Sequence, residues 1–474
     1  MTSKKQFWLS FFIILALAMI TRLIFLDLRP LHHDEGNNYF FTQQIFETGK
    51  YIYNPLNYHG PLYFFAIFIS FLALGISEFS LRLPAAIFGI LAILTPFVFI
   101  KGNNKKWIFP SLFLIASPSF MYYSRYSIHE SALVLFSIFL VIITTRFLEE
   151  KKLVYLPYIG LATALIFATK ETGILSIAIV FFICILNFKN LRRMEWKKNY
   201  IMILGAVYAF LILYIAFFTW FFMDIHGIVR SFEAYVPWMQ RSVSETGHIK
   251  PFYYYIKLIT LYEAPLLVIS LCGLAMYFFT KTKNAYIKNF SIYTILLLLL
   301  YNFIPYKMPW IVINITAPLC IIAGLIIENI SNKKIRASLG ALSIITLLGF
   351  SVYLNFMRPW QEDNLYAYVH TYASAISMVK EINSIYTNDS KILIASKEYW
   401  PLPFYFHKKA VQYQNDVTSL RIQDYPDFNI FIIQDDIFTK SEFPEGYFSK
   451  KYELRSGATL YLVAKKTFEN VEKN

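Results

Sequence analysis

A chain of 474 residues with 57% hydrophobic, 19% aromatic and only 16% charged residues is not an ordinary soluble domain, in which about 25% charge is usual. The formal net charge of +14 invites a nucleic-acid partner, but residues 357–474 carry 14 Lys+Arg against 15 Asp+Glu, leaving 30 against 15 in residues 1–356. An excess confined to the apolar part marks the cytoplasmic loops of a polytopic membrane protein and excludes a DNA-binding face.

In chain order, apolar runs fall near 7–26, 61–76, 81–100, 107–124, 129–148, 153–169, 172–188, 200–222, 258–280, 289–305, 310–327 and 338–356. Most have the length of a bilayer-crossing helix. The N-terminus has basic residues and an apolar run but no small-residue cleavage site, which predicts an uncleaved anchor. The run 61–76 is short, about 24 Å as a helix, and opens on Gly60-Pro61. Were it to span, the Lys-rich loops would alternate between sides. As an interfacial helix in the first outer loop it leaves eleven spans. Lys4/Lys5, Lys101/Lys105/Lys106, Lys151/Lys152, the basic stretch 189–198, Lys281/Lys283/Lys288 and Lys333/Lys334/Arg336 then all face the cytoplasm. The pattern predicts a multi-pass plasma-membrane protein with its N-terminus inside and its C-terminal domain outside. Cys184, Cys272 and Cys320 lie in apolar runs without disulfide or zinc spacing, and read as small buried hydrophobes.

The polar residues concentrate in the outer loops. The first, 27–80, holds His32-His33-Asp34-Glu35-Gly36, an expected surface helix from Asn37 to Thr48, and Asn57-Tyr58-His59-Gly60-Pro61. The second runs from Tyr122 to Glu130, and an aromatic third lies near 223–257. The fourth is Tyr306-Lys307-Met308-Pro309-Trp310, and the junction Thr169-Lys170-Glu171-Thr172 lies on the same side. From Arg358 onward charges alternate with β-type runs at 391–395, 428–433 and 459–463, after a helical stretch near 373–386. A transmembrane domain, 1–356, followed by a small extracytoplasmic α/β domain, 357–474, is the expected organisation.

Asp34 and Glu35 are the candidate general-base pair, since a carboxylate partly shielded from water can take a proton from an attacking hydroxyl. The alternative is an ordinary solvated loop pair. Arg82, Arg125, His129, Glu130, Lys170, Glu171 and Lys307 are ionisable groups near membrane depth, where such groups usually pair or line a cavity. The cations suit a phosphate, or are interfacial side chains snorkelling to water. His32, His33, His59 and His129 could bind a metal, and His129-Glu130 with Asp34 could hold a divalent ion. No i,i+4 pair or nearby Cys supports that, and hydrogen-bonding histidines are the competing reading. A phosphate-cradling glycine loop, nucleophile elbow and dinucleotide fingerprint are all missing. Tyr399 and Trp400, with Pro401 and Pro403, form either an acceptor-side sugar ledge or part of the outer domain's own core. Tyr366, Tyr368 and His370 are placed to link that domain to the membrane part.

Asp34-Glu35 with a following surface helix, the turn before Pro61-Leu62-Tyr63, and Leu81-Arg82-Leu83-Pro84-Ala85-Ala86 resemble the start of the GT-C membrane glycosyltransferases. Within them the chain resembles the superfamily of protein O-mannosyltransferases and the lipid A aminoarabinose transferase. Phe167-Ala168-Thr169-Lys170-Glu171-Thr172, Tyr306-Lys307-Met308-Pro309-Trp310 and Tyr399-Trp400-Pro401-Leu402-Pro403-Phe404 look like the prokaryotic flippase-activity-associated family. The resemblance implies 11–13 spans, a catalytic Asp-Glu motif in the first outer loop, a polyprenyl-phosphate-linked sugar as donor, and inverting transfer. Carried over, Asp34 is the base, Glu35 assists it, and Arg82 is a structural arginine. His59-Gly60-Pro61 departs from the Lys-Pro-Pro or His-Pro-Pro of relatives.

Together these expectations describe a glycosyltransferase whose donor phosphate is held by Arg125, Lys170 and Lys307 while Asp34 deprotonates a hydroxyl on a protein, lipid or glycan acceptor. The rival is a non-catalytic component of lipid-linked glycan export. An ion-coupled transporter fits less well, because no inverted repeat is visible.

Overall fold

The computed structural model describes residues 3–57, 59–100, 108–192, 194, 196–243, 248–279 and 284–465. Tyr58, Arg193 and the expected basic loops at Lys101–Lys106 and Lys281–Lys283 lie outside these residues. The chain divides into two compact units, Met1–Leu26 with Thr42–Pro359, and Asp27–Phe41 with Trp360–Asn474.

The first unit is helical. Among the described residues seven helices are long and apolar enough to cross a membrane, and a bent pair makes an eighth. The first nine helices of the chain are α1 (Ser3–Leu23), α2 (His33–Thr48), α3 (Pro61–Leu74), α4 (Glu78–Phe99), α5 (Ile108–Ala116), α6 (Pro118–Tyr123), α7 (Glu130–Glu150), α8 (Leu156–Thr169) and α9 (Gly173–Leu186). Longer helices follow at Tyr200–Phe218, Ala285–Phe303, Ile313–Asn329 and Lys333–Val352. The protein is thus a multi-pass membrane protein, and among the described residues several of the expected apolar runs form shorter or bent helices.

Each interruption has a local reason. The run 107–124 breaks at Ser117-Pro118, where proline removes a donor and Ser117 caps α6 through the Phe120 N–H, 3.3 Å away. The run 258–280 bends by 106° between Tyr254–Tyr262 and Ala264–Ala275. Pro265 disfavours helical geometry at Ala264 and cannot continue the hydrogen-bond ladder. The runs 153–169 and 172–188 remain short, separated by the Lys170–Thr172 junction. Small residues allow close backbone approach between these helices. A methyl on Gly160 would sit 2.2 Å from the Ala206 carbonyl oxygen, and one on Gly324 would sit 2.3 Å from the Pro110 nitrogen.

The second unit holds a five-stranded sheet in the order β2-β1-β3-β5-β4. Its strands are β1 (Lys391–Ala395), β2 (Ala410–Gln414), β3 (Ile430–Gln434), β4 (Tyr447–Arg455) and β5 (Ala458–Lys465). β2, β1 and β3 run parallel, while β5 is antiparallel to both β3 and β4. β1 and β3 are buried almost throughout, as central strands covered on both faces must be. Helix Ala373–Ile385 covers one face through Met378, Val379 and Ile382, packed with Ile392, Ile394 and Leu462. Leu393, Phe431, Ile433 and Val463 build the core on the opposite face.

Candidate functional site

Within the second unit the chain before α2 is fixed by hydrogen bonds that start the helix four residues earlier than Asn37. His32 is its N-cap. The His32 ring accepts at Nδ1 from the Asp34 N–H (3.0 Å), and the Glu35 carboxylate accepts from the His32 N–H (3.0 Å). The second is the return bond of a capping box, from the N-cap N–H to the N3 carboxylate, and the first is an N-cap bond to the N2 N–H with an imidazole in place of the usual hydroxyl. With Nδ1 accepting, Nε2 carries the proton and donates to the Tyr368 carbonyl at 2.8 Å. Burial, with His33 and Arg455 beside it, holds the His32 pKa well below the usual imidazole range. Glu35 is fully buried by this duty, whereas Asp34 stays half-buried.

Arg455, at the end of β4, completes the surroundings of Asp34. Its guanidinium donates to His33 Nδ1 (3.3 Å) and the Trp400 carbonyl (2.8 Å), and lies 3.3 Å from the Glu398 carboxylate. Burial lowers the Arg455 pKa, against the carboxylates of Glu398 and Asp34, which raise it. Burial first, and then Arg455, press His33 down to about 4. The Trp400 ring centre lies 6.1 Å from that of His33, and 5.8 Å from that of Phe40. A methyl on Gly36 would meet Pro401 at 2.9 Å, so the first turn of α2 sits directly on the Trp400-Pro401 loop. Tyr399 packs against the domain core and against Tyr413, ring centres 4.9 Å apart. Tyr368 and His370 hold the His32 segment, His370 with ring centres 5.1 Å apart.

In the first unit a second group of polar side chains gathers around the α8–α9 junction. Lys170 is ion-paired with Glu130, both almost fully buried. His59 and Lys170 form an isolated antiparallel bridge, and the Gly60 N–H donates to the Thr169 carbonyl at 3.1 Å. Gly60 has to be glycine there, because a methyl would fall 2.1 Å from the Ala168 carbonyl oxygen. The His129 ring centre lies 4.6 Å from those of His59 and Tyr63. Tyr53 donates to the Glu171 carboxylate. Burial pushes Glu171 up to about 8, and its second carboxylate oxygen has no hydrogen-bond partner among the described residues.

Lys307 is buried beside the 248–250 segment. Its ammonium donates to the carbonyls of Ile304 (2.6 Å) and Lys250 (3.2 Å), and burial lowers its pKa. Trp310 is buried nearby in sequence, its ring centre 6.3 Å from Tyr126.

Arg125 serves a different purpose from the anion contact expected of it. Its guanidinium donates to the carbonyls of Thr21, Arg22, Ile24 and Phe25, and stacks on Phe356 at 4.8 Å. Thr21 and Arg22 are among the carbonyls that α1 leaves orphaned at its C-terminal end, and Ile24 and Phe25 lie just beyond it. A cation there both satisfies them and complements the helix dipole. Arg82, fully buried, donates to the Leu26 carbonyl at 3.0 Å.

Three important residues escape sequence reasoning. Arg455 carries no motif and sits among alternating charges. Arg22 and Glu263 did leave a signal, a charge inside an apolar run. Arg22 holds the Leu114 and Ile115 carbonyls at the end of α5 (2.7 and 2.9 Å), and Glu263 accepts from Ser117 and Ser119 at the start of α6. Among the described residues no group of three or more His, Cys, Asp or Glu side chains is arranged to hold a metal ion, so no step is routed through one.

Residues 58–227 match the family model described as dolichyl-phosphate-mannose-protein mannosyltransferase. The fold is similar to the crystal structure of ArnT from Cupriavidus metallidurans in the apo state. That likeness has a TM-score of 0.68 and 12% identity, and covers 96% of this chain and 98% of the other. ArnT from the same organism bound to undecaprenyl phosphate is similar with a TM-score of 0.63 and 13% identity, again over 96% and 98%. The curated proteins give no match. The family model thus matches just over a third of the chain, while the likeness of fold to ArnT extends over 96% of it.

Proposed function

We propose that this protein is a membrane glycosyltransferase of the GT-C type, which moves a sugar from a polyprenyl-phosphate carrier to an acceptor hydroxyl on the extracytoplasmic face, with inversion at the anomeric carbon. The observation that carries the reading is the division of labour at the start of α2. Glu35 is fully buried and accepts from the His32 N–H, whereas Asp34, on the same first turn, is only half-buried and lies in the field of Arg455. In this reading Asp34 takes the proton of the acceptor hydroxyl as its oxygen bonds to the anomeric carbon. The bond from that carbon to the phosphate oxygen breaks, and polyprenyl phosphate leaves with both electrons. Lys307 is assigned to the leaving phosphate, where a fixed positive charge lowers the barrier, and Lys170, paired with Glu130, is assigned to positioning. Arg125 is assigned to holding α1.

Several observations support the donor class. The similar fold of ArnT is known with undecaprenyl phosphate bound. The Lys/Arg distribution supports an extracytoplasmic position for the outer loops and the 357–474 domain, which favours a lipid-linked donor over a soluble nucleotide sugar. The acceptor, whether protein, lipid or glycan, is assigned to the Trp400 side of the second unit, where an aromatic face adjoins His33.

The test is transfer itself. Purified protein in lipid nanodiscs is given radiolabelled polyprenyl-phosphate sugar and a membrane extract as the acceptor source. Label should leave the lipid with the native chain and stay on it with Asp34→Asn, which is isosteric and leaves the cap intact. Equal turnover by the variant removes Asp34 as base. Label that never leaves the lipid returns the non-catalytic export reading.

A further inference from the structure

The segment after helix Tyr200–Phe218 was absorbed by no part of the site. Trp220, Phe221 and Phe222 all have positive φ (47°, 54° and 70°), so the chain leaves the line of the preceding helix there. Two helices follow, Gly227–Glu233 and Tyr235–Val243, joined through Ala234 in right-handed helical geometry (φ −59°, ψ −23°). They therefore continue one helical phase. Ile225, Val229, Phe232, Val236, Met239 and Val243 recur at spacings of three and four, and each is more than half exposed. At about 100° per residue they all fall within about 40° of one line along the helix.

The other two sides have different chemistry. Gly227, Ser231 and Ala234 are buried. Gly227 lies so close to the Phe218 carbonyl that a methyl would stand 1.8 Å away, and Ser231 bonds Tyr214 at 2.6 Å. This side is seated on the end of the preceding helix. On the remaining side are His226, Glu233 and Gln240, all exposed. One side meets protein, one is polar, and one is a continuous apolar stripe about 28 Å long at 1.5 Å per residue. Water would not select that third side. An amphipathic helix lying in the plane of a bilayer surface has this distribution.

We infer that residues 225–243 form a helix lying in the membrane surface, with the Ile225-to-Val243 stripe sunk into the acyl chains of one leaflet and the Glu233/Gln240 side facing water. What identifies the occupant as lipid is continuity. Helix Tyr200–Phe218 exposes Leu204, Tyr208, Leu211 and Ile212 along a bilayer-crossing span, and Phe222 and Met223 carry that apolar surface into the stripe. The same helix carries Tyr235, whose pKa is raised first by burial and then by the nearby Glu171 carboxylate. The leaflet therefore supports one wall of the buried junction described above, and the depth of the helix sets where Tyr235 stands.

The test uses the full chain with Cys184, Cys272 and Cys320 replaced, reconstituted in phosphatidylcholine–phosphatidylglycerol vesicles. Nitroxides are placed by Phe232→Cys, Val236→Cys and Met239→Cys on the stripe, and by Glu233→Cys and Gln240→Cys beside it. Stripe labels should collide with oxygen, which partitions into lipid, several-fold more than with a water-soluble nickel chelate; the other two should show the reverse. Nickel access at all five positions overturns the inference. So does protection of the stripe from both reagents, which would mean that protein, including a second copy of this chain, covers it.

Discussion

Replacing Arg455 by Met should loosen the start of α2 without touching any hydrogen bond inside that helix. Arg455 is almost fully buried and makes two bonds from one guanidinium, to His33 Nδ1 and to the Trp400 carbonyl. A hydrogen bond from a charged donor is worth about 1.5–3 kcal/mol, and the 3.3 Å bond to His33 belongs at the weak end. The Glu398 carboxylate is half exposed, so its pairing adds about 1 kcal/mol at most. Methionine restores the packing but neither bond, and the sum lost is about 3 kcal/mol. At about 1.4 kcal/mol per factor of ten, local opening becomes roughly a hundredfold more frequent. Hydrogen–deuterium exchange on the full chain reads this directly, in peptides covering 29–41 and 396–405. Protection there should fall by about two orders of magnitude, with the helices of the first unit unchanged. Arg455→Lys should recover only part, since an ammonium lacks the planar fork. Exchange in these two peptides equal to that of the native chain would show that Arg455 is not what joins them.

Two further outcomes follow from the same geometry. Glu35→Ala removes the acceptor of the His32 N–H and should cost about 1–2 kcal/mol of helix stability, lowering turnover although Glu35 is assigned no proton transfer. Glu35→Gln keeps an acceptor oxygen and should restore most turnover in the same transfer assay, whereas a true acid–base role would leave both variants equally inactive. Glu171, raised to about 8 by burial, binds its proton more tightly in the folded chain than in the unfolded one. Its contribution is therefore complete below the usual carboxylate pKa and is lost as pH rises through about 8. The thermal midpoint of Glu171→Gln should fall less between pH 6 and pH 9 than that of the native chain, and parallel curves would refute the assignment.

How much could be read from sequence depended on whether the signal was local. Hydropathy located the membrane helices, because a span must be apolar along its whole length whatever its neighbours. It overstated their continuity at 258–280, where Ala264-Pro265 bends an otherwise apolar run. β1, β3 and β5 were visible because they are apolar, but β2 and β4 were not. β4 reads Tyr-Phe-Ser-Lys-Lys-Tyr-Glu-Leu-Arg and is an edge strand, half solvated, so its pattern resembles a charged loop. Asp34 and Glu35 were legible as a pair, but their separate roles were not. The choice between them is made by the His32 N–H, three residues before Glu35, and by Arg455, more than 400 residues away.

The same limit explains the buried cations. An arginine at the end of an apolar run has two physical solutions, an anion or a set of orphaned helix carbonyls, and the sequence around it is identical for both. Arg22 and Arg125 take the second solution reciprocally. Arg125 binds the carbonyls ending α1, the helix that carries Arg22, and Arg22 binds those ending α5, just before the helix that leads to Arg125. Helix ends in a low-dielectric surrounding need such partners more than they do in water, and the two guanidiniums supply them. Lys170 is neutralised by Glu130. Lys307 stands apart, because it donates to two carbonyls and no carboxylate pairs with it among the described residues. A buried charge kept without a counter-charge is destabilising unless something brings one, and an incoming phosphate is the group that would.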